Sequence, residues 1–472
     1  MGQTGGLGRD TPGPPDLEWR GVWISRFEWT SGDGSAITQR LRDMMATLRS
    51  GNLNAVLFQV RGQGDTLYPS RTGEPWSEMI SQAARTIDPV SVAVREAKAA
   101  GIEFHAWHNL SVIWQSASEQ FPKDTSHPFY RFAHPKEPGR CRGVIYGPDR
   151  KPKFFGESGY TWLTPGNPEV TTYVRQQIAA FLDAYEVDGL HWDDRTGLPH
   201  GASLDPVSLE RFQGRGNPER IQDLEAWQRD QLGRMLSDIR VVARARNPRL
   251  RISMSPFGIA DKTRIPGYNR FSDAVRDFGV EPEKWLAMGL IDALMPQIYW
   301  DEADPAPNYS TLVRDWMRHN RTGRPIWPGS ALKPWPGKQD LLGQQQVNIA
   351  LTRALGLNGN TFWSYGAAKP EEWRALSRKA YTNVAKVPPL AEDGKGQIMG
   401  SVTLNGKPVM DGHVWLEGRD QVYLTGADGF FGIPAVEPGE VRLALDVPGV
   451  SRSITKVTVP VDKTAVVRWP LG

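Results

Sequence analysis

Eight times along this 472-residue chain a short apolar run gives way to a stretch of helical period, and that repetition restricts the fold more than any other feature. Residues 20–27 read as a first strand, and 37–48 as the helix behind it, with Leu41, Met44, Met45 and Leu48 on one face. Residues 55–61 are followed by a Gly/Pro/Ser-rich excursion and a helix over 89–100. The run 102–109 leads into an aperiodic insertion over 111–165, too long for a simple connection, and then a helix over 168–185. The fourth strand spans 187–195, with its helix over 219–246. From there the repeat shortens, with strands over 251–257, 292–300, 325–330 and 360–365 and helices over 282–288, 309–319, 341–355 and 371–380. Alternation of this kind predicts parallel βαβ units, and eight of them predict an α/β chain closed into a (β/α)8 TIM barrel. An open doubly wound sheet is the alternative, and no Gly-x-Gly-x-x-Gly turn follows strand one to support it.

After Pro388-Pro389 the pattern changes to short alternating runs punctuated by Gly and Pro, which predicts a C-terminal all-β sandwich. The expected organisation is a leader over 1–17, a barrel over 18–385, a linker over 386–395 and a sandwich over 396–472. The sandwich resembles carboxypeptidase regulatory-like domains through Gly396, Gly412, Thr425, Asp428-Gly429, Phe431 and Pro438-Gly439. It shows no catalytic constellation and reads as an appended module. Lys+Arg number 56 against 53 Asp+Glu, a net charge of +3 without the basic excess that marks nucleic-acid binders. Cys141 stands alone, so neither an internal disulfide nor a cysteine-built metal site is expected. The Gly/Pro-rich leader has no apolar core, so neither a signal peptide nor a membrane span is read in it.

Alternation along each strand sorts the candidate chemistry. In Val187-Asp188-Gly189-Leu190-His191-Trp192-Asp193-Asp194-Arg195, Leu190 and Trp192 share one face while His191, Asp193 and Arg195 share the other. Strand two sets Gln59 and Arg61 opposite Val56, Phe58 and Val60, and strand three sets His105, Trp107 and Asn109 opposite Phe104 and Ala106. Strand six sets Gln297, Tyr299 and Asp301 opposite Leu294 and Ile298. Buried parallel strands normally read as unbroken Val/Ile/Leu runs, so polar groups near several strand ends imply a shared wet site at the barrel mouth. Any one of them could equally be a structural hydrogen-bonding group. With Trp300, Trp363 and Tyr365 expected nearby, the mouth suits sugar rings, and a glycan is the expected partner. Asp193 is the expected group at the anomeric carbon, and Asp194 either the acid or a support orienting Arg61 or His105. Asp301 and Asp65 are the alternative acids. The spacing of His105, His108 and Asp193 matches no ligand motif, so no metal or other cofactor is expected.

Together, Arg20-Gly21-Val22-Trp23, Gln59-Val60-Arg61, Gly64-Asp65-Thr66-Leu67-Tyr68, the run 102–109, Asp188 to Asp194 and Met295-Pro296-Gln297-Ile298-Tyr299-Trp300 resemble the glycosyl hydrolase-like 10 family over about residues 18–380. These are bacterial TIM-barrel proteins that include an Escherichia coli enzyme acting on peptidoglycan glycan strands. The resemblance implies a glycoside hydrolase acting on cell-wall glycan outside the cytoplasm. The family pattern usually continues from the two carboxylates with Tyr, where this chain has Arg195. Strand four is also similar to the Asp-x-x-Asp-x-Asp-x-Glu strand of family 18 chitinases, but Arg195 stands in place of the Glu acid, so that mechanism does not carry over. A glycan-binding protein without turnover and a metal-dependent deacetylase or amidohydrolase are the competing classes.

Overall fold

The computed structural model describes residues 15–199, 203–332, 341–391 and 394–472, so most of the expected leader lies outside the described residues. Strands β1 (Trp19–Ile24), β2 (Ala55–Arg61), β3 (Glu103–His108), β4 (Gly189–Asp193), β5 (Arg251–Ser255), β6 (Ala293–Leu294), β7 (Gly329–Ala331) and β8 (Gly359–Trp363) form one parallel sheet. Their order is β6-β5-β4-β3-β2-β1-β8-β7. Single parallel bridges, Leu294 to Ile326 and Gln297 to Gly329, join its two ends and close the (β/α)8 barrel that the repeat predicts.

Helices α1 (Gly34–Ser50), α2 (Pro89–Ala100), α3 (Pro168–Ala184), α4 (Leu224–Arg246), α5 (Pro282–Ala287), α6 (Tyr309–His319), α7 (Leu341–Ala354) and α8 (Pro370–Lys379) surround it. Their starts are written locally. Asp33, Asp88, Asn167, Asp223 and Asn308 each accept an N–H of the first turn, and α2, α3, α5 and α8 open with a proline, where no helical N–H is missed. None of the described helices is long and apolar enough to cross a membrane.

Several boundaries differ from the sequence reading. The helix expected from residue 219 starts at Leu224, where Asp223 caps it. Strand six, expected over 292–300, is regular only at Ala293–Leu294, because Pro296 has no N–H for the ladder and Ile298 N turns back to Pro296 O at 2.9 Å. Pro325 and Pro328 likewise shorten strand seven. The insertion read as aperiodic holds a two-stranded antiparallel ribbon, Val112–Gln115 against Tyr160–Trp162.

Inside the barrel, Trp19, Trp23, Leu57, Trp107, Met295 and Trp327 form the packed interior, with Trp19 stacked on Trp327 at 4.4 Å. Outside it, Val22, Val56, Phe58, Phe104, Leu190 and Ile252 pack against the helices. The floor, at the N-terminal ends of the strands, is built of paired charges. Glu18 accepts from Arg20 at 2.8 Å and from Arg353 at 2.7 and 2.8 Å. Asp292 is shared by Arg240 (3.2 Å), Arg244 (2.9 Å) and Arg324 (3.1 Å) and also accepts the Ile252 N–H at 2.8 Å.

Strands β9 (Gly396–Leu404), β10 (Lys407–Pro408), β11 (His413–Leu416), β12 (Tyr423–Leu424), β13 (Phe430–Val436), β14 (Gly439–Asp446), β15 (Ser453–Val459) and β16 (Thr464–Leu471) make the expected sandwich. In one sheet β10, β13 and β16 gather around β9, and the other runs β12-β11-β14-β15 over a core of Ile398, Val402, Val414, Phe431, Ile433 and Leu443. It docks on the barrel flank through Arg175 with Asp428, Arg211 with Asp411 (2.6 Å) and Arg215 with Asp446 (2.9 Å).

Candidate active site

The site grows from the end of β4. His191 points inward and is fully buried. Its Nδ1 lies 2.9 Å from Ser253 Oγ, and its Nε2 lies 3.0 Å from Ser255 Oγ and accepts the Trp23 indole N–H at 3.0 Å. Burial holds this imidazole well below its ordinary pKa, so it is a neutral strut beneath the mouth. Around it, Trp363 packs edge-on against Trp107 at 5.8 Å and Trp23 at 6.2 Å, forming an aromatic base.

Asp193 sits one alternation above His191. Its Oδ1 accepts the Arg195 N–H at 2.9 Å and caps the short 3-10 turn Asp194–Thr196. That turn matters because adjacent residues of a continuing strand would face opposite ways. With the strand ended, Asp194 remains close enough for its charge to bear on Asp193, while its Oδ2 pairs with Arg195 Nη1 at 3.1 Å. The Arg195 guanidinium lies over Tyr160 (5.1 Å) and Trp162 (6.0 Å) of the inserted ribbon. Tyr299 faces both carboxylates, whose charges together with burial raise its hydroxyl well above the ordinary value.

Asp193 is 7 % exposed. Burial, and secondly the Asp194 charge, push its carboxyl up to about 7, while Arg195 and the nearby Trp107 indole pull in the opposite direction. A carboxyl raised toward neutrality thus stands beside a second one paired with a guanidinium, an arrangement capable of acid–base chemistry.

The other expected site residues divide into three groups. Gln59 and Asn109 form a polar shelf over β2 and β3. Gln59 Oε1 accepts the Arg26 N–H (3.1 Å), Gln59 Nε2 donates to Asn109 Oδ1 (3.4 Å), and Asn109 donates to Gly62 O (3.0 Å). Gln297 donates to Ser255 O at 2.9 Å, and Trp300 packs on Phe257 at 5.9 Å.

A second group is turned away. A register shift between Gln59 and Arg61 in the β2–β3 ladder swings Arg61 outward onto α3, where it donates to Tyr173 Oη (2.7 Å) and Gln177 Oε1 (2.9 Å). His105 lies toward the floor, with Nε2 3.1 Å from Glu103 and its ring edge-on to Trp19. Asp194 therefore pairs with Arg195 rather than orienting Arg61 or His105. Beyond β8 the chain turns, and Tyr365 stacks on Trp373 of α8 at 6.1 Å.

The alternative acids each accept a hydrogen bond within their own loop. Asp65 accepts from Gln63 Nε2 at 2.8 Å, and burial raises its pKa. Asp301 accepts the Ala303 N–H at 3.0 Å.

Sequence reasoning passed over Arg26, Tyr160 and Trp162. Arg26 is buried after β1 and donates to Gln115 Oε1 of the ribbon at 2.6 Å. Tyr-Thr-Trp was a period-2 fragment that could have signalled the ribbon, but its pairing partner lies some 45 residues earlier. Among the described residues, no three His, Cys, Asp or Glu side chains converge as metal ligands.

A closed parallel barrel carrying a proton-holding carboxyl, an ion-paired carboxylate and a tryptophan base at its C-terminal mouth has the make-up of a sugar-cleaving barrel enzyme. The comparisons name the group: the chain belongs to the glycosyl hydrolase-like 10 family, whose profile matches residues 18–326, and it is a glycoside hydrolase. It is similar to "Glycosyl hydrolase YngK" of Bacillus subtilis, 24% identical over 72% of this chain and 67% of that protein. It is also similar to "Glycosyl hydrolase DigH" of Escherichia coli K12, 24% identical over 63% of this chain and 69% of that protein. In fold it resembles the PgaB (BpsB) glycoside hydrolase domain of Bordetella bronchiseptica, with a TM-score of 0.56 and 15% identity over 77% of this chain and 99% of that one.

Proposed function

We propose that the barrel hydrolyses β-linked amino-sugar glycan, namely bacterial cell-wall strands stripped of their peptides, and that it works outside the cytoplasm. The observation that carries the chemistry is the pairing of Asp193, with its pKa near 7, and the Arg195-bound Asp194. The family resemblance supplies the substrate class. In this reading the roles expected from the sequence are exchanged, since Asp193 is the carboxyl raised toward neutrality: protonated Asp193 gives its proton to the glycosidic oxygen as the C1–O bond breaks and that bond's electron pair moves to the oxygen. The Arg195-paired Asp194 carboxylate offsets the positive charge developing at C1, and water then adds to C1 as its proton passes to the Asp193 carboxylate, which restores the acid. Trp363 and Trp300 supply aromatic surface suited to sugar rings, and Tyr299 and Gln297 supply polar groups for their hydroxyls.

Incubation with purified, peptide-free glycan strands tests this. The expected result is new reducing ends, lost in Asp193→Asn. Binding without reducing ends would replace the reading with a glycan-binding protein, and metal-dependent release of acetate would replace it with a deacetylase.

A further inference from the structure

We propose that Arg195 is a positioning residue for the Asp193/Asp194 pair and that the inserted ribbon exists in part to hold it there. The guanidinium is fixed from several directions. Its Nη1 donates to Asp194 Oδ2 at 3.1 Å, and its plane lies over the rings of Tyr160 and Trp162. Its own backbone is tied down as well, the N–H donating to Asp193 Oδ1 (2.9 Å) and the carbonyl accepting from Ser111 N (3.1 Å). A guanidinium held between a carboxylate and aromatic faces loses little further freedom on pairing, and it keeps its charge at every working pH.

The ribbon is anchored at both sides of the mouth. At its root Ser111 Oγ donates to Thr196 O at 2.6 Å, next to the carboxylates. At its far edge Gln115 accepts from Arg26, at the start of the single helical turn after β1. Tyr160 and Trp162 are therefore delivered to Arg195 by a strap spanning from the β1 side to the β4 side. Removing either ring leaves the ion pair in place but frees the side chain that makes it.

Several groups surround Asp193: Asp194 and Arg195 beyond β4, Trp107 from β3, Tyr299 from the loop after β6, and, behind Arg195, Tyr160 and Trp162 from the ribbon. Of these, Arg195 alone carries positive charge. Arg195 draws the Asp193 carboxyl downward, so its loss raises that group, and the pH at which Asp193 gives up its proton moves up.

This inference rests on Asp193 and Asp194 being the working pair, and it is independent of which glycan is cut. The test is a carbon-13 NMR titration of carboxyl-labelled aspartate in the full chain, with the Asp193 signal assigned by its loss in Asp193→Asn. In Arg195→Gln the Asp193 midpoint is expected to rise by about one pH unit. Tyr160→Ala gives part of that rise, and Arg195→Lys returns it toward the parent. Because Tyr160 acts through Arg195, Tyr160→Ala adds nothing in the Arg195→Gln background. The pH–rate profile moves the same way, with kcat changing more than KM. An unmoved Asp193 midpoint in a folded Arg195→Gln protein overturns the proposal, as does a Tyr160→Ala shift of equal size with and without Arg195. Should the midpoints move as expected while denuded cell-wall glycan yields no reducing ends but another glycan does, the substrate reading falls and this inference stands.

Discussion

Two buried aspartates at opposite ends of the same barrel behave in opposite ways. Asp292, on the floor, is 2 % exposed, and three guanidiniums and a backbone N–H hold its pKa below the ordinary value despite the cost of burial. Asp193, at the mouth, is 7 % exposed and rises to about 7. Similar burial with different partners gives opposite shifts, so the compensating charges, not depth, set the direction. On the floor each carboxylate meets more than one guanidinium, as Glu18 with Arg20 and Arg353 shows again. At the mouth a single guanidinium faces two carboxyls, and the shortfall keeps a proton available near neutral pH.

The largest expected effect is at the mouth. Asp193→Asn should lower kcat on denuded glycan by roughly 10²–10⁴-fold without lowering the melting temperature at pH 8, since an undercompensated buried acid has been removed. A variant retaining near-parental turnover would break the comparison at once. On the floor the effects should exchange places. Asp292→Asn leaves three guanidiniums without their shared carboxylate and should cost about 3–5 kcal/mol in urea unfolding, with turnover per folded molecule unchanged.

The pH dependence of stability sharpens the contrast. The Asp193 pKa rises from 3.8 unfolded to about 7 folded, so the native state binds the extra proton and stability falls as pH increases across that interval. Asp292 is lowered, so its contribution is present above the unfolded value and is lost as pH falls through the lower, folded one. In unfolding series across pH, Asp193→Asn should flatten the decline between those two values, whereas Asp292→Asn should weaken the loss of stability in acid. The smallest effect is expected at Tyr365, which packs on Trp373 away from the mouth. Tyr365→Phe should change stability by less than about 0.5 kcal/mol and leave KM unaltered.

What the chain's own order determined was whatever depends on near neighbours. Eight alternations of period, and the inward set of His191 and Asp193 opposite Leu190 and Trp192, were legible, because side-chain direction in a strand repeats every two residues. What only the tertiary structure decided lies where that period breaks or where partners are remote. One irregularity in the β2–β3 register sent Arg61 out to α3, and the end of β4 freed Asp194 from the opposite-face rule. The chain's turn after β8 carried Tyr365 away. Tyr160 and Trp162 reached Arg195 only through a ribbon whose strands pair across some 45 residues of chain, a contact no local pattern encodes. Local sterics set which way a side chain points, but the charge balance that moves the Asp193 proton is a sum over groups that folding alone brings within range.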